Sequence, residues 1–179
     1  MTKLAIIGFS GRDNKSFILT EEHYNWMIDN VLCYIKEVLN MKPNEITLVS
    51  GGSSWSDHIA VSLFLTNKFN QLNLYLPVDY DKNLSKYYEN YQGSLLNSLH
   101  EKFSEQIKKD TLKDLKIAMT KYNCKIIIFN GFFKRNTAIA NNCDHLIAFN
   151  LSDIPSGGTL DTWNKVKHEN KININLQWM

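Results

Sequence analysis

A chain of 179 residues with 44% hydrophobic content is long enough to bury one full core, and no Pro/Ser-rich linker divides it, so a single domain over 1–179 is expected. A formal charge of +2 with lysines spread along the chain supplies no basic field, and nucleic acid is not favoured as a partner. No apolar run approaches the roughly 20 residues of a membrane span, and Met1-Thr2-Lys3 leads straight into a strand-like run, which predicts a cytoplasmic protein with no membrane partner.

Leu4-Ala5-Ile6-Ile7, ending at Gly8, predicts a first parallel strand, and Phe9-Ser10-Gly11-Arg12-Asp13-Asn14 a ligand loop, with Gly8, Ser10, Gly11 and Arg12 as binding candidates. No third glycine opens a helix before Glu21, so these glycines alone do not make a dinucleotide fingerprint, and an ordinary strand-to-helix turn accounts for them equally well. Thr20 before Glu21 and Glu22 reads as the N-cap of a helix reaching about Leu39, with Trp26, Val31, Ile35 and Val38 available for burial. Ile46-Thr47-Leu48-Val49 is a second strand. It runs into Ser50-Gly51-Gly52-Ser53-Ser54, whose Gly51, Gly52 and Ser53 join the binding candidates, and then into a helix from Trp55 to Phe69 with Ile59, Ala60, Leu63 and Phe64 for burial. Asp57 falls in the first turn of that helix, either complementing its dipole or holding a ribose hydroxyl, and His58 beside it reads as structural.

Leu72 to Leu76 supplies a third strand, stopped by Pro77. A Tyr-rich helical insertion follows over about 79–120, a loop and two helices with apolar positions at Leu95, Leu99, Phe103 and Ile107 and again at Leu112, Leu115 and Ala118. Tyr80, Tyr87, Tyr88 and Tyr91 are either a lid over a base or a solvated face. His100, Glu101 and Ser104 share a helical neighbourhood without a spacing that defines a triad.

Cys124-Lys125-Ile126-Ile127-Ile128-Phe129 is close to continuously apolar and predicts a central parallel strand, ended by Gly131. Lys134, Arg135 and Asn136 then open a helix. Cations at that end oppose the macrodipole unless they serve something else, such as a phosphate, which makes Arg135 and Asn136 binding candidates. A fifth strand spans His145 to Phe149. Pro155-Ser156-Gly157-Gly158-Thr159 follows it, and the backbone N–H groups of Gly157, Gly158 and Thr159 would face an anion beyond the strand's carboxyl end. A helix to about His168 and a last strand, Ile172 to Leu176, complete the chain.

This order of elements predicts an α/β protein, a Rossmann-like doubly wound parallel sheet with a helical insertion. Ile6, Leu48, Leu74, Ile127 and Ile147 are expected in its interior, and the loops after Gly8, Ser50, Phe129 and Phe149 at one edge. Cys33, Cys124 and Cys143 are an odd set without CxxC spacing, each within an apolar segment, and are expected to be reduced core thiols. No metal and no cofactor are expected, and the sequence leaves open whether the chain forms a homo-oligomer.

Three segments together resemble the SLOG (SMF/DprA and LOG) superfamily of Rossmann-like proteins: Ser50-Gly51-Gly52 with Asp57 and Ala60, Arg135-Asn136 with Ile139-Ala140, and Asp144 to Phe149 leading into Gly157-Gly158-Thr159. The resemblance covers roughly residues 3 to 77 and 124 to 176. It implies a nucleotide or nucleotide-derived small molecule as ligand and, in the lonely-guy branch, hydrolysis of the N-glycosidic bond of nucleoside 5′-monophosphates. That branch looks like P-G-G-x-G-T-x-x-E, with arginine and glutamate in catalysis. Here P-S-G-G-T-L-D-T places Thr162 where the glutamate would be and Asp161 one residue early. Two classes stay open: an N-glycosidase using Asp161 or Asp57, or a non-catalytic protein that senses or sequesters a nucleotide signal such as an ADP-ribose derivative. A DNA-binding relative of the DprA type is disfavoured by the modest charge.

Overall fold

The computed structural model describes residues 1–12 and 17–179, so Asp13 and Asn14 of the first loop lie outside the described residues. In chain order the strands are β1 (Thr2–Gly8), β2 (Ile46–Ser50), β3 (Gln71–Leu76), β4 (Tyr80–Asp81), β5 (Lys86–Tyr87), β6 (Cys124–Ile128), β7 (His145–Asn150) and β8 (Lys171–Asn175). Six of them form one parallel sheet in the order β6-β3-β2-β1-β7-β8, and β4 pairs with β5 in a separate antiparallel hairpin. The expected Rossmann-like α/β fold is the one observed.

Alternation along the strands sorts their side chains onto two faces. On β1, Leu4 and Ile6 join Leu48, Leu72 and Leu74 in the larger core, while Ala5 and Ile7 join Val49, Leu146 and Ala148 in the smaller one. Helices α1 (Glu21–Cys33), α2 (His58–Leu65), α3 (Tyr91–Ile107) and α4 (Thr111–Thr120) pack on one another over the first face. Helices α5 (Phe132–Asn141) and α6 (Gly157–Lys165) pair over the second. Among the described residues, no helix is long and apolar enough to cross a membrane.

Several local expectations are corrected. Thr20 does cap α1, with His23 closing the capping box. The turn from Tyr34 to Val38 is π-helical, and its wider winding shifts the phase so that Ile35 stays buried while Val38 faces solvent. Helix α2 begins only at His58, because Trp55 takes a left-handed φ of 54° and breaks the winding before Asp57. Strand β6 lies at the sheet's edge, not its centre. It pairs with β3 alone, and Ile127 is only half-buried. Its apolar run serves contact with α4, and composition does not distinguish hydrogen bonding on one side from hydrogen bonding on both. Cys33 is exposed, Cys124 intermediate and only Cys143 buried, so core burial holds for one of the three thiols.

Two of the insertion's four tyrosines are core residues and take no part in a lid. Tyr80 and Tyr87 are buried with their rings edge to face, and their hydroxyls donate to Leu112 O and Gly52 O, each at 2.6 Å. Tyr88 and Tyr91 are exposed. Interleaved Tyr and Lys conceals this division, because Tyr carries both an apolar ring and a polar tip.

Candidate functional site

From β1 the chain moves outward through β2 and β3 to β6, then returns to β7 and β8 on the other side. The carboxyl ends of β1 and β7 therefore part at a crevice, where doubly wound sheets bind their ligands. A cavity of about 690 Å³ opens there, inside the range of about 300–1,000 Å³ typical of small-molecule sites. Gly8, Ser10 and Arg12 line it from the loop after β1, and Ser53 and Asp57 from the loop after β2. Arg135 and Asn136 reach it from α5, and Gly157, Gly158 and Thr159 from the start of α6. The loops expected at one edge do meet there.

Arg135 is 8% exposed and Asp57 6%. The Arg135 Nη1 donates to Gly51 O at 2.6 Å and lies 3.4 Å from Asp57 Oδ2, while its guanidinium carbon stands 5.5 Å from the Phe132 ring centre. A cation at a helix N-terminus is thus held against the macrodipole by an internal carboxylate and carbonyl. Arg135 Nε is buried without an acceptor. Burial pushes the Asp57 carboxyl above its ordinary value, opposed by Arg135 and by the backbone N–H groups of Ser53, Gly51 and Gly8. Burial likewise lowers the Arg135 guanidinium, with Asp57 opposing. Gly51 admits this pair by having no side chain, since a Cβ there would collide with Arg135 Nη1.

At the opposite wall α6 starts bare. Ser156 is its N-cap without a side-chain hydrogen bond, Gly157 takes a φ of 55°, and nothing lies within 4 Å of where its Cβ would be. Among the described residues the first N–H groups of the helix have no side-chain acceptor, and the dipole's positive end borders the cavity.

No family model matches the chain. It is 51% identical over 175 residues to the uncharacterized protein R261 of Acanthamoeba polyphaga mimivirus, an alignment that spans 97% of this chain and 96% of the relative. The chain belongs to the family of that mimivirus protein. The X-ray structure of TM1055, a structural genomics target, superposes with a TM-score of 0.50 at 13% identity, covering 93% of this chain and 68% of that one. That likeness is one of fold, and it is of the Rossmann-like type.

In this family member the two candidate carboxylates differ in place. Asp57 lines the cavity. Asp161 does not: its Oδ2 accepts from Lys165 Nζ at 2.8 Å and from Asn136 Nδ2 at 3.1 Å. Helical geometry accounts for this, because Gly158 and Thr162 are four apart on one stripe while Asp161 pairs with Lys165 on the next. Thr162, 2% exposed, lines the cavity and bonds back to Gly158 O at 3.3 Å, so a hydroxyl occupies the position where the resemblance has a glutamate. Gly11 faces the Trp55 indole, and Gly52 lies behind Ser53, where its carbonyl accepts from both Tyr87 Oη at 2.6 Å and His100 Nε2 at 3.0 Å. The insertion thus clamps the loop that carries Ser53.

That clamp determines the state of His100. A carbonyl acceptor at Nε2 puts the ring proton there, leaving Nδ1 to accept from Thr111 Oγ1 at 2.9 Å. Burial, then the neighbouring His58, pull its pKa down to about 3. A neutral buried ring of this kind positions a loop. Tyr91, one of the tyrosines expected either over a base or in solvent, lines the cavity, as do Leu95 and Leu99, expected only as apolar helix positions, and Phe133, which sequence reasoning missed. Their signal was the spacing of 91, 95 and 99 on one helical stripe and the adjacency of Phe133 to Arg135.

Proposed function

We propose that this chain binds a nucleotide or nucleotide-derived small molecule at the carboxyl edge of its sheet, with the phosphate between Arg135 and the N–H groups of Gly157, Gly158 and Thr159. The observation that carries this is the pairing, across one cavity, of a buried guanidinium whose Nε lacks an acceptor with a helix start that lacks a side-chain cap. A phosphate between them would meet the guanidinium's charge on one side and the helix dipole on the other. The resemblance to the SLOG superfamily, carried by these same segments, points to the same ligand class.

Hydrolysis of an N-glycosidic bond is the activity that the resemblance implies, and in this reading Asp57 is the carboxylate for it. Asp57 borders the cavity, and its raised pKa is the kind of perturbation found at working carboxyls. The non-catalytic reading, a sensor or sequestering protein for a nucleotide signal, is favoured by a specific observation. Both carboxylates are already engaged, Asp57 by Arg135 and Asp161 by Lys165 and Asn136.

Incubation with nucleoside monophosphates and NAD-derived nucleotides, read by chromatography for base release and by thermal shift for binding, tests both readings. Binding with base release supports the glycosidase, and binding alone supports the sensor. Absence of any shift with every nucleotide at millimolar concentration removes the proposal.

A further inference from the structure

The cavity has two unlike halves. Its floor is polar, made by Arg135, Asp57 and Asn136. Its wall is apolar: Tyr91, Leu95 and Leu99 stand one helical turn apart on α3 with Leu96 beside them, and Phe132 and Phe133 open α5. Among the described residues, α3 contributes no charged or amide side chain to the lining.

Two of these wall residues are left largely in water. Tyr91 is 70% exposed and Phe133 72%, although both border the same cavity and come from the first turns of different helices. Large aromatic faces in water forgo the burial that usually accompanies them, and a flat ring laid against them would restore it, at Phe133 on the face that Lys165 Nζ, 5.7 Å from the ring centre, leaves open. The amide side chains of the lining, Asn136 and Asn150, lie on the floor, and their Nδ2 donors are engaged within the protein. Asn136 Nδ2 donates to Gly158 O at 3.3 Å and to Asp161 Oδ2 at 3.1 Å, and Asn150 Nδ2 donates to Asn173 Oδ1 at 2.7 Å.

We infer that the wall holds the ligand's heteroaromatic ring by stacking and apolar contact, with Tyr91 and Phe133 as the contacts at the mouth, so that purine and pyrimidine nucleotides are accepted with little discrimination. This rests on the nucleotide reading given above. Every base has a π-face, so stacking tolerates all four, whereas strong discrimination requires hydrogen-bond partners aimed at the base edge. The insertion, by supplying α3, is then the part of the chain that makes a phosphate pocket into a nucleotide pocket.

The test is calorimetric titration of AMP, GMP, CMP, UMP and ribose 5-phosphate into the wild type and into Tyr91→Ala, Phe133→Ala and the double variant. Both side chains are exposed, so melting temperatures should stay at the wild-type value. The four nucleotides should bind within about fivefold of one another, the double variant should weaken all four about tenfold or more, and ribose 5-phosphate should bind all proteins alike. Preference for one base by more than about fiftyfold, a scale that needs hydrogen-bond readout, overturns the inference. So does a double variant that retains full nucleotide affinity, or ribose 5-phosphate binding as tightly as the nucleotides. In each of these cases the phosphate site itself stands. If neither ribose 5-phosphate nor any nucleotide binds, the underlying reading fails and this inference with it.

Discussion

The Arg135 Nη1 lies 3.4 Å from Asp57 Oδ2, both residues more than nine-tenths buried, and the two come from helix starts on opposite faces of the sheet. A buried pair of this kind is only weak evidence of net stabilisation, because desolvation offsets much of the attraction. Removing one partner is another matter. Arg135→Ala leaves Asp57 uncompensated and should destabilise the fold by about 3 kcal/mol or more, and it should weaken nucleotide binding by about 1.5 to 3 kcal/mol. Chemical denaturation measures the first and titration the second. Unchanged affinity would remove Arg135 from the site. The ion pair with Asp57 is the reason to expect a loss of stability as well as of affinity.

The same pair gives a pH dependence with a definite sign. Burial raises the Asp57 carboxyl, and Arg135 opposes that rise, so removing Arg135 raises it further. A carboxyl with a raised folded-state pKa contributes stability that is present below its unfolded value and lost as pH climbs through the folded one. The melting-temperature deficit of Arg135→Ala should therefore be largest near neutrality and shrink as pH falls toward about 4, the ordinary Asp range. A deficit that is constant with pH would show that Asp57 does not carry the effect.

His100 gives the opposite trend. Its pKa is depressed to about 3, chiefly by burial, and that of His58 is lowered for the same first cause. A depressed pKa contributes stability present above the unfolded value and lost as pH falls. Stability should decline below about pH 6.5, the unperturbed His value, and His100→Gln should flatten that decline. Thermal melts over pH 4 to 8 check this, and an equally steep slope in the variant would count against it.

Gly158→Val and Gly52→Ala separate ligand access from packing. A Cβ at Gly158 has only Asn136 Nδ2 near it, at 3.9 Å, whereas one at Gly52 would collide with Leu76 Cδ2 and lies 2.5 Å from Tyr87 Oη, at a backbone φ of 73°. Gly158→Val should fold normally and lose nucleotide affinity, because a branched side chain stands over the N–H groups of α6. Gly52→Ala should lose stability, by about 1 to 3 kcal/mol for an overpacked and strained site. Denaturation curves and titrations of both variants tell these effects apart, and an unfolded Gly158→Val would mark that glycine as structural.

Much of the fold is legible in the sequence because parallel strands announce themselves as short apolar runs between helical patterns, as Leu4–Ile7, Ile46–Val49 and His145–Phe149 do. The place of β6 is not, since its apolar run gives no account of which neighbours it has. Ser53, Arg135 and Gly158 are legible as neighbours of one edge because each follows a strand's carboxyl end. The bond between Arg135 and Asp57 is not, because it joins residues 78 apart across the sheet. The roles of His100 and Tyr87 are hidden for the same reason: both act on Gly52 O from an insertion whose spacing shows helices but not their destination.

The carboxylate assignments are tested by paired substitutions. Should base release be found, Asp57→Asn should lower it by about a hundredfold or more, on the order of 3 kcal/mol in the barrier. Asp161→Asn, which disturbs an ion pair with Lys165 outside the cavity lining, should change it by less than about fivefold, the scale of a partly exposed pair. Release rates with saturating nucleotide decide this, and loss of turnover in Asp161→Asn alone would reverse the assignment.

In the proposed site a phosphate is held between Arg135 and the start of α6. This placement is tested most directly by titrating a nucleoside 5′-monophosphate and its parent nucleoside, side by side, into the wild type and Gly158→Val. The monophosphate should bind the wild type at least about tenfold more tightly than the nucleoside, one charge-assisted bond's worth, and Gly158→Val should abolish the difference. Equal affinity of the two ligands for the wild type, or a phosphate advantage that survives Gly158→Val intact, would contradict it.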